Sequence, residues 1–326
     1  MGHPDDRWRR SNLLFTIGGV FSRQLEYLVA LDRERHFGRA AASCHVSQPA
    51  LSEAIRSLER ELGVPLVRRG RRFEGLTPEG ERVLTWAQRV VANLRGLEQE
   101  VSRLREGLVG TLRLGAIPTS LPTSSLVTTR FREHHPRMRV TLHSMTSREI
   151  AHGLAHGELD AGLTYLDNEP LEGVDMRPLW HERYLLLAPS DGPLGDRDTI
   201  GWAEAATLPL CLLTPDMQHR RIVDSAFAAA GAVPEPVVET NSVSAVLAHA
   251  RSGIPGVTAQ TWVVTQVLPA GLRAIPLIDP VLTRTIGIVT SARTPRLPVV
   301  DELLSLFAPH ELDEIVHTGG FAAGGG

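Results

Sequence analysis

Lysine is absent from this chain, and all 34 basic side chains are arginine. Each cation is therefore a planar guanidinium suited to bidentate contact with phosphate or guanine, although genomic base composition produces the same bias. Cysteine occurs twice, at Cys44 and Cys211, too few for a disulfide framework and without paired zinc-ligand spacing. A reducing cytoplasm is the expected compartment. No run reaches the roughly 18 uninterrupted apolar residues of a transmembrane helix, so no membrane partner is expected. Also missing are a G-x-S-x-G elbow, a P-loop and a G-x-G-x-x-G turn. An enzyme is accordingly the weak alternative, and no catalytic residue, cofactor or metal is expected. His152 and His156 stand i, i+4 on a predicted helix, yet no Glu follows the first as in H-E-x-x-H and no third ligand is evident.

What is present is a 326-residue chain, 42% hydrophobic, long enough for two or three units with cores of their own. Its net charge of −3 conceals an asymmetry: residues 1–110 carry 18 arginines against 14 acidic side chains, and the remainder 16 against 23. A positive first part suits a polyanionic partner, with charge drift between two domains as the bland alternative. The opening "RWRRSNLLFTIGGVF" imitates an export signal. Its apolar run, residues 13–21, is short, contains Thr16, Gly18 and Gly19, and is followed by no small-residue cleavage site. Residues 1–21 are read as a disordered extension, with Val20 as a candidate alternative translation start.

From Arg23, Leu25, Leu28 and Val29 fall near helical spacing, predicting a helix to about Arg35. A second, alanine-rich helix is expected over residues 38–44, where Ala40, Ala41 and Ala42 allow close approach. Ser47 then makes a good N-cap and Pro49 suits the first turn. Leu51, Ile55, Leu58 and Leu62 form an inward stripe, and Gly63 ends the helix. The segment "VPLVRRGRRFEGLTPEG" reads as a two-stranded wing turned at Gly70, with Thr77 capping the next helix. With the stripe buried, Gln48, Ser52, Glu53, Arg56 and Arg60 face outward, with Ser47 and Pro49 at the leading end. Arginine suits guanine O6 and N7, glutamine suits adenine, and the proline ring can meet a thymine methyl. Arg68, Arg69, Arg71 and Arg72 would hold phosphate. Taken one residue at a time, a solvated helix face is the competing interpretation.

The next helix, about residues 78–106, carries Val83, Ala87, Val90, Leu94, Leu97, Val101, Leu104 and Leu108 in alternating steps of four and three. That averages about 3.5 residues, the spacing of a coiled-coil seam, and predicts a homodimer through residues 83–108. Packing of this helix on its own chain's core is the alternative. After Gly110, segments such as "TLRLGA", "RVTLHSM", "LDAGLTY", "YLLLAP" and "RTIGIVTS" alternate with helical patterns. This predicts parallel sheets covered by helices, with ligands at the strand C-termini.

Residues 23–85, with "RQLEYLVALDRERHFGRAAASCHVSQPALSEAIRSLERELGVPLVRR" and "LTPEGERVL", resemble the N-terminal domain of LysR-type transcriptional regulators. "LRLGAIPT", "GELDAGL" and "ETNSVSAVL" extend the likeness over almost the whole chain. The resemblance implies a mainly α winged helix-turn-helix at residues 22–77, a linker and dimerisation helix at 78–109, and an α/β two-lobed effector-binding domain resembling periplasmic solute-binding proteins at 110–310; the low-complexity end "GGFAAGGG" makes residues 311–326 an expected flexible tail. It implies a sequence-specific regulator of double-stranded DNA, acting as a homodimer or tetramer under a small, anionic effector held between the lobes. Thr119, Ser120, Thr146, Ser147, Thr164, Gln218, His219, Asn241 and Ser242 are the effector candidates, since hydroxyls, amides and helix-start N–H groups favour an anion; each could instead be an ordinary cap. Glu53 departs from the family by occupying a position often basic or neutral. Redox switching through Cys211 would need a nearby resolving cysteine, whereas Cys44 lies in another domain, so a buried strand cysteine is expected. A solute-binding protein is the alternative from another class, against which the DNA-binding head counts.

Overall fold

A computed structural model describes residues 20–69, 73–264 and 268–318. The chain divides into two compact units, Met1–Val101 and Ser102–Gly326.

In the first unit three helices, α1 (Val20–Glu34), α2 (Phe37–Ser43) and α3 (Gln48–Leu62), precede a two-stranded ribbon of β1 (Val67–Arg69) and β2 (Phe73–Leu76). Leu28, Leu31, Ala40, Leu51, Ile55, Leu58 and Leu66 make the core. Helix α1 starts earlier than predicted and takes in the last two residues of the supposed disordered extension, because Phe21 packs against this core. Residues 1–19 of that extension lie outside the described residues. His36 caps α2 by accepting from the N–H groups of Gly38 and Arg39 at 3.0 and 3.3 Å. The ribbon pairs antiparallel, Val67 opposite Leu76. It is tied to α3 through Glu59, whose Oε1 accepts from the backbone N–H groups of Leu66 and Val67 at 2.9 and 3.1 Å. Phe73 meets Phe37 edge to face, with ring centroids 6.1 Å apart.

Helix α4 (Pro78–Glu106) starts where predicted: Thr77 Oγ1 accepts from Gly80 N–H at 2.9 Å and donates to the Pro65 carbonyl at 2.7 Å. Gly80 is required there, since a Cβ would sit 2.1 Å from the Leu66 carbonyl oxygen. The apolar line of α4 serves two ends. Ala87 is buried and Val83 packs against the first unit's core, joined by Leu84 and Val91 beside the line, whereas Leu108, expected in the dimer seam, lies beyond the helix and is buried in the second unit's core. Leu97 and Leu104 remain 61% and 74% exposed, and Val90 and Val101 are exposed as well.

The second unit holds two lobes. One is built on a five-stranded sheet in the order β4-β3-β5-β13-β6, the other on a six-stranded sheet in the order β10-β9-β11-β7-β12-β8. The first comprises β3 (Gly110–Ala116), β4 (Met138–Ser144), β5 (Ala161–Tyr165), β6 (Val174–Glu182) and β13 (Arg284–Ser291). The second comprises β7 (Tyr184–Pro189), β8 (Ile200–Gly201), β9 (Cys211–Leu213), β10 (Val238–Thr240), β11 (Gly256–Ala259) and β12 (Leu272–Ile278). The chain crosses between sheets from β6 to β7 and returns from β12 to β13. The sheets are consequently mixed rather than parallel: β13 runs antiparallel to β5 and β6, and β7 antiparallel to β11 and β12. Four strands escape the sequence pattern: β8 and β11 are only two and four residues long, and β6 and β12 each contain a proline, Pro178 and Pro276. Opposite Pro178 the register shifts between Ile286 and Gly287.

The acidic residue of "GELDAGL" organises the first lobe. Buried Asp160 accepts from the Arg113 backbone N–H at 2.8 Å and from its Nε and Nη2 at 3.1 and 2.5 Å, holding β3 beside β5. The tail expected to be flexible from residue 311 is instead ordered through helix α12 (Asp313–Thr318), the last described element. Leu312 and Val316 are buried in the core, a short apolar spacing that glycine-rich sequence downstream disguised. Between β3 and β13 lie helices α5 (Ser124–His134), α6 (Ser147–His156), α7 (Trp202–Ala205), α8 (Gln218–Ala229), α9 (Val243–Arg251) and α10 (Gln260–Val264); α11 (Pro298–Ser305) follows β13.

Candidate functional sites: a nucleic-acid interface and an interlobe cavity

On α3 the capping geometry is as read from sequence. Ser47 Oγ accepts from Ala50 N–H at 3.4 Å, Pro49 occupies the first turn, and Gly63 ends the helix in the left-handed region at φ 71°. Leu51, Ile55 and Leu58 point inward, whereas Leu62, placed in the same stripe, is exposed. Gln48, Pro49, Glu53, Arg56 and Arg60 are exposed along one edge, and Ser52 is half-buried. Glu53 is committed to its own helix: its carboxylate takes Arg60 Nη2 at 2.9 Å and Arg56 Nη1 at 3.4 Å. The acidic Glu53 thus restrains Arg56 and Arg60 on the exposed edge of its own helix. Arg68 is exposed on β1. Nothing is described of the Arg69 side chain, and Arg71 and Arg72 lie outside the described residues.

In the second unit, the loops after β3 and before α6 face the start of α8 across the two lobes. Ile117, Pro118, Thr119, Thr146, Ser147 and Tyr165 come from the first lobe, and Leu213, Met217, Gln218 and His219 from the second. They enclose about 10 Å³, room for the centre of one water molecule. Five polar atoms on this lining are buried without a hydrogen-bond partner: Thr119 Oγ1, Ser147 Oγ, Gln218 Oε1 and both ring nitrogens of His219. Buried polar groups are ordinarily satisfied, so these atoms offer hydrogen bonds to whatever occupies the cavity, which in this closed form has room for one water. Burial pushes the His219 imidazole down to about 4, leaving it neutral near pH 7. Among the described residues no arginine reaches the lining. Its polarity comes from dipoles rather than formal charge.

The cavity is latched. Gln218 Nε2 donates to Asn168 Oδ1 across the lobes. Arg221 makes a two-pronged pair with Glu169, Nε to Oε1 at 2.5 Å and Nη2 to Oε2 at 2.9 Å. The hydrogen bond from Arg221 holds the Glu169 carboxyl below its ordinary range.

Two family models cover these two regions: "Bacterial regulatory helix-turn-helix protein, lysR family" over residues 22–81, and "LysR substrate binding domain" over residues 105–311. The chain belongs to the LysR family of transcriptional regulators. It is 33% identical over 276 residues to the DNA-binding transcriptional dual regulator OxyR of Escherichia coli, covering 84% of this chain and 90% of that protein. It is 36% identical over 193 residues to a probable hydrogen peroxide-inducible genes activator of Streptomyces viridosporus, covering 58% and 61%. Among solved structures, a full-length OxyR variant from Pseudomonas aeruginosa superposes with a TM-score of 0.72 at 29% identity, covering 87% of this chain and 93% of that one. CbnR complexed with its target DNA shares the fold, with a TM-score of 0.62 at 22% identity, covering 88% and 98%. As a LysR-family member the chain is a DNA-binding regulator with an effector-binding domain, not an enzyme, and the solute-binding alternative finds no support.

Of the nine effector candidates read from this LysR sequence, five line the cavity: Thr119, Thr146, Ser147, Gln218 and His219. Thr146 is spent on a capping box, its Oγ1 accepting from Glu149 N–H at 3.2 Å while Glu149 Oε2 accepts from Thr146 N–H at 2.7 Å. Ser120 and Thr164 are buried beside the lining rather than on it. Asn241 and Ser242 are not part of it; Asn241 is exposed and Ser242 caps α9, its Oγ accepting from Ala245 N–H at 3.4 Å. Sequence reading missed Tyr165, Asn168, Glu169 and Arg221. Tyr165 had the look of a strand residue buried for packing, and the latch joins segments distant in sequence. Cys211 is fully buried on β9 with its thiol pushed up by burial, as expected of a strand cysteine.

Proposed function

We propose that this LysR regulator works in the cytoplasm, where it binds operator DNA as a homodimer through the exposed half of the α4 seam. Ser47, Gln48, Pro49, Ser52 and Arg56 read bases, while Arg68, Arg69, Arg71 and Arg72 hold phosphate. The regulating molecule is a small oxyanion or carboxylate held between the lobes. The observation that carries this reading is the set of unpartnered atoms of Thr119, Ser147, Gln218 and His219 on one buried lining. Two hydroxyls can donate to anionic oxygens, and His219 can donate from both nitrogens once protonated. Because the lining holds no arginine, an anion enters most favourably together with a proton on His219. Its affinity therefore rises as pH falls toward the imidazole's value in the complex. Equal effector affinity in all conformations would shift nothing, so the ligand must favour one lobe arrangement.

The test is binding of the purified protein to its own upstream DNA against a scrambled duplex at physiological salt, repeated with a panel of small anions. Preference for the native duplex, altered by one anion in wild type and not in His219→Ala, is expected. Calorimetry of that anion in buffers of different ionisation enthalpy should register uptake of about one proton. Equal weak binding to both duplexes, or effector binding with no proton uptake and no dependence on His219, would overturn the respective half of the proposal.

A further inference from the structure

Outside the interlobe lining, three metal-ligating side chains of the second unit converge. We propose that His181, His310 and Asp313 form a binding site for a divalent transition-metal ion of the Zn²⁺ class. His181 is the penultimate residue of β6, His310 lies in the turn before α12, and Asp313 opens α12. One ligand atom from each lies within 4.8 Å of the others. Both imidazoles turn Nδ1 toward the same carboxylate oxygen, Asp313 Oδ2, at 3.0 Å from His181 and 3.5 Å from His310. Bonds of about 2.0–2.1 Å to a tetrahedral ion set donors roughly 3.3 Å apart, so these separations bracket what a shared ion requires. Two nitrogen donors and one oxygen donor suit zinc, cobalt or nickel, and exclude the all-oxygen preference of calcium and magnesium.

The backbone holds this geometry on both sides. His310 N–H donates to the Pro178 carbonyl at 3.1 Å, Leu312 N–H to the Leu179 carbonyl at 3.1 Å, and His181 N–H to Asp313 Oδ1 at 2.6 Å. The segment is thus tied to β6 through a turn, and the two rings lie 4.6 Å apart with planes 4° apart, so a rotation of one partly exposed ring about its Cβ–Cγ bond is needed to aim both Nδ1 atoms at one ion. All three side chains are partly exposed, which gives an ion a path of entry and leaves coordination positions for water. His152 and His156 do not offer the same: their rings stack at 3.9 Å, but His156 Nδ1 lies 2.8 Å from the His152 carbonyl, and among the described residues no third ligand joins them. The bound ion staples the C-terminal segment to β6, independently of the interlobe site.

The experiment uses the untagged full-length protein, stripped with chelator and titrated with Zn²⁺ against a chromophoric competitor, with Co²⁺ absorption as a second readout. Wild type should bind one equivalent and melt at a higher temperature with Zn²⁺ than without. His310→Gln, an exposed substitution, should weaken that equivalent by about tenfold or more, as should His181→Gln, and either should abolish the Zn²⁺-dependent rise in Tm. A His152→Gln/His156→Gln double variant should behave as wild type. No equivalent tighter than about 100 µM in wild type would overturn the proposal. So would binding that survives in both single variants or disappears in the double variant.

Discussion

Tyr165, on the lining of the interlobe cavity, donates its hydroxyl to the buried carboxylate of Glu182 at 2.6 Å, and the other oxygen of Glu182 takes Thr261 Oγ1 at 2.6 Å. Glu182 ends β6, where the chain crosses from the first lobe to the second, and Thr261 belongs to the second lobe. A carboxylate at the crossover thereby joins the cavity wall to both sheets.

Burial raises Glu182 from 4.5 to about 7. The folded protein then binds this proton more tightly than the unfolded chain, so stability falls as pH rises from about 4.5 to about 7 and levels off above. Glu182→Gln removes that slope. Thermal unfolding between pH 5 and 8 should show wild type losing on the order of 2–3 kcal/mol relative to the variant across this window. Parallel curves for the two proteins would sink the assignment.

The pair Arg221–Glu169 fastens the lobes with both side chains largely shielded from solvent. Arg221→Ala leaves Glu169 without its main partner, and charge-assisted pairs of this kind contribute about 1–3 kcal/mol. Lower Tm with a more open second unit in solution scattering is the expected result. An unchanged scattering profile would mean that packing alone keeps the cavity closed.

Arg56 and Arg60 share the Glu53 carboxylate. Glu53→Gln releases both and removes a negative charge from the surface proposed to meet DNA, so operator affinity should increase severalfold at fixed salt. Arg56→Ala should cost about 1–3 kcal/mol and relax choice at one base position. Weaker binding by Glu53→Gln in a titration at constant ionic strength would instead make Glu53 a base-reading group.

Leu97 and Leu104 project from α4 into solvent in the isolated chain. Leu97→Arg with Leu104→Glu places charge in the proposed seam, and sedimentation should find the dimer dissociated by at least tenfold while circular dichroism stays near wild type. A sedimentation coefficient equal to that of wild type would move the interface elsewhere.

Gly80→Ala should destabilise the winged unit by about 1–3 kcal/mol, since the added methyl has to displace the Leu66 carbonyl. Urea denaturation followed through the first unit's signal measures it. Neutral behaviour would show that the start of α4 can slide at little cost.

Local chemistry made the first unit legible before any coordinates. Ser47, Pro49 and Gly63 act within one or two turns of where they stand, and the inward stripe of α3 needs only a helix's period to be recognised. The same holds for Thr77 and for the narrow line on α4, although how that line divides between a core-facing end and a solvent-facing end depended on what packs against it. In the second unit, alternation revealed strands and helices but not their pairing. Strand direction follows from two crossings between lobes, and prolines hid β6 and β12. Ser147 and His219 were brought to one cleft only by the family resemblance, and convergence of Arg221 with Glu169 and of His181 with Asp313 was beyond sequence reading, because each joins segments far apart in the chain. Side chains set local structure through nearest neighbours, whereas a site assembled across a cleft exists only once hydrophobic burial has fixed how distant elements meet.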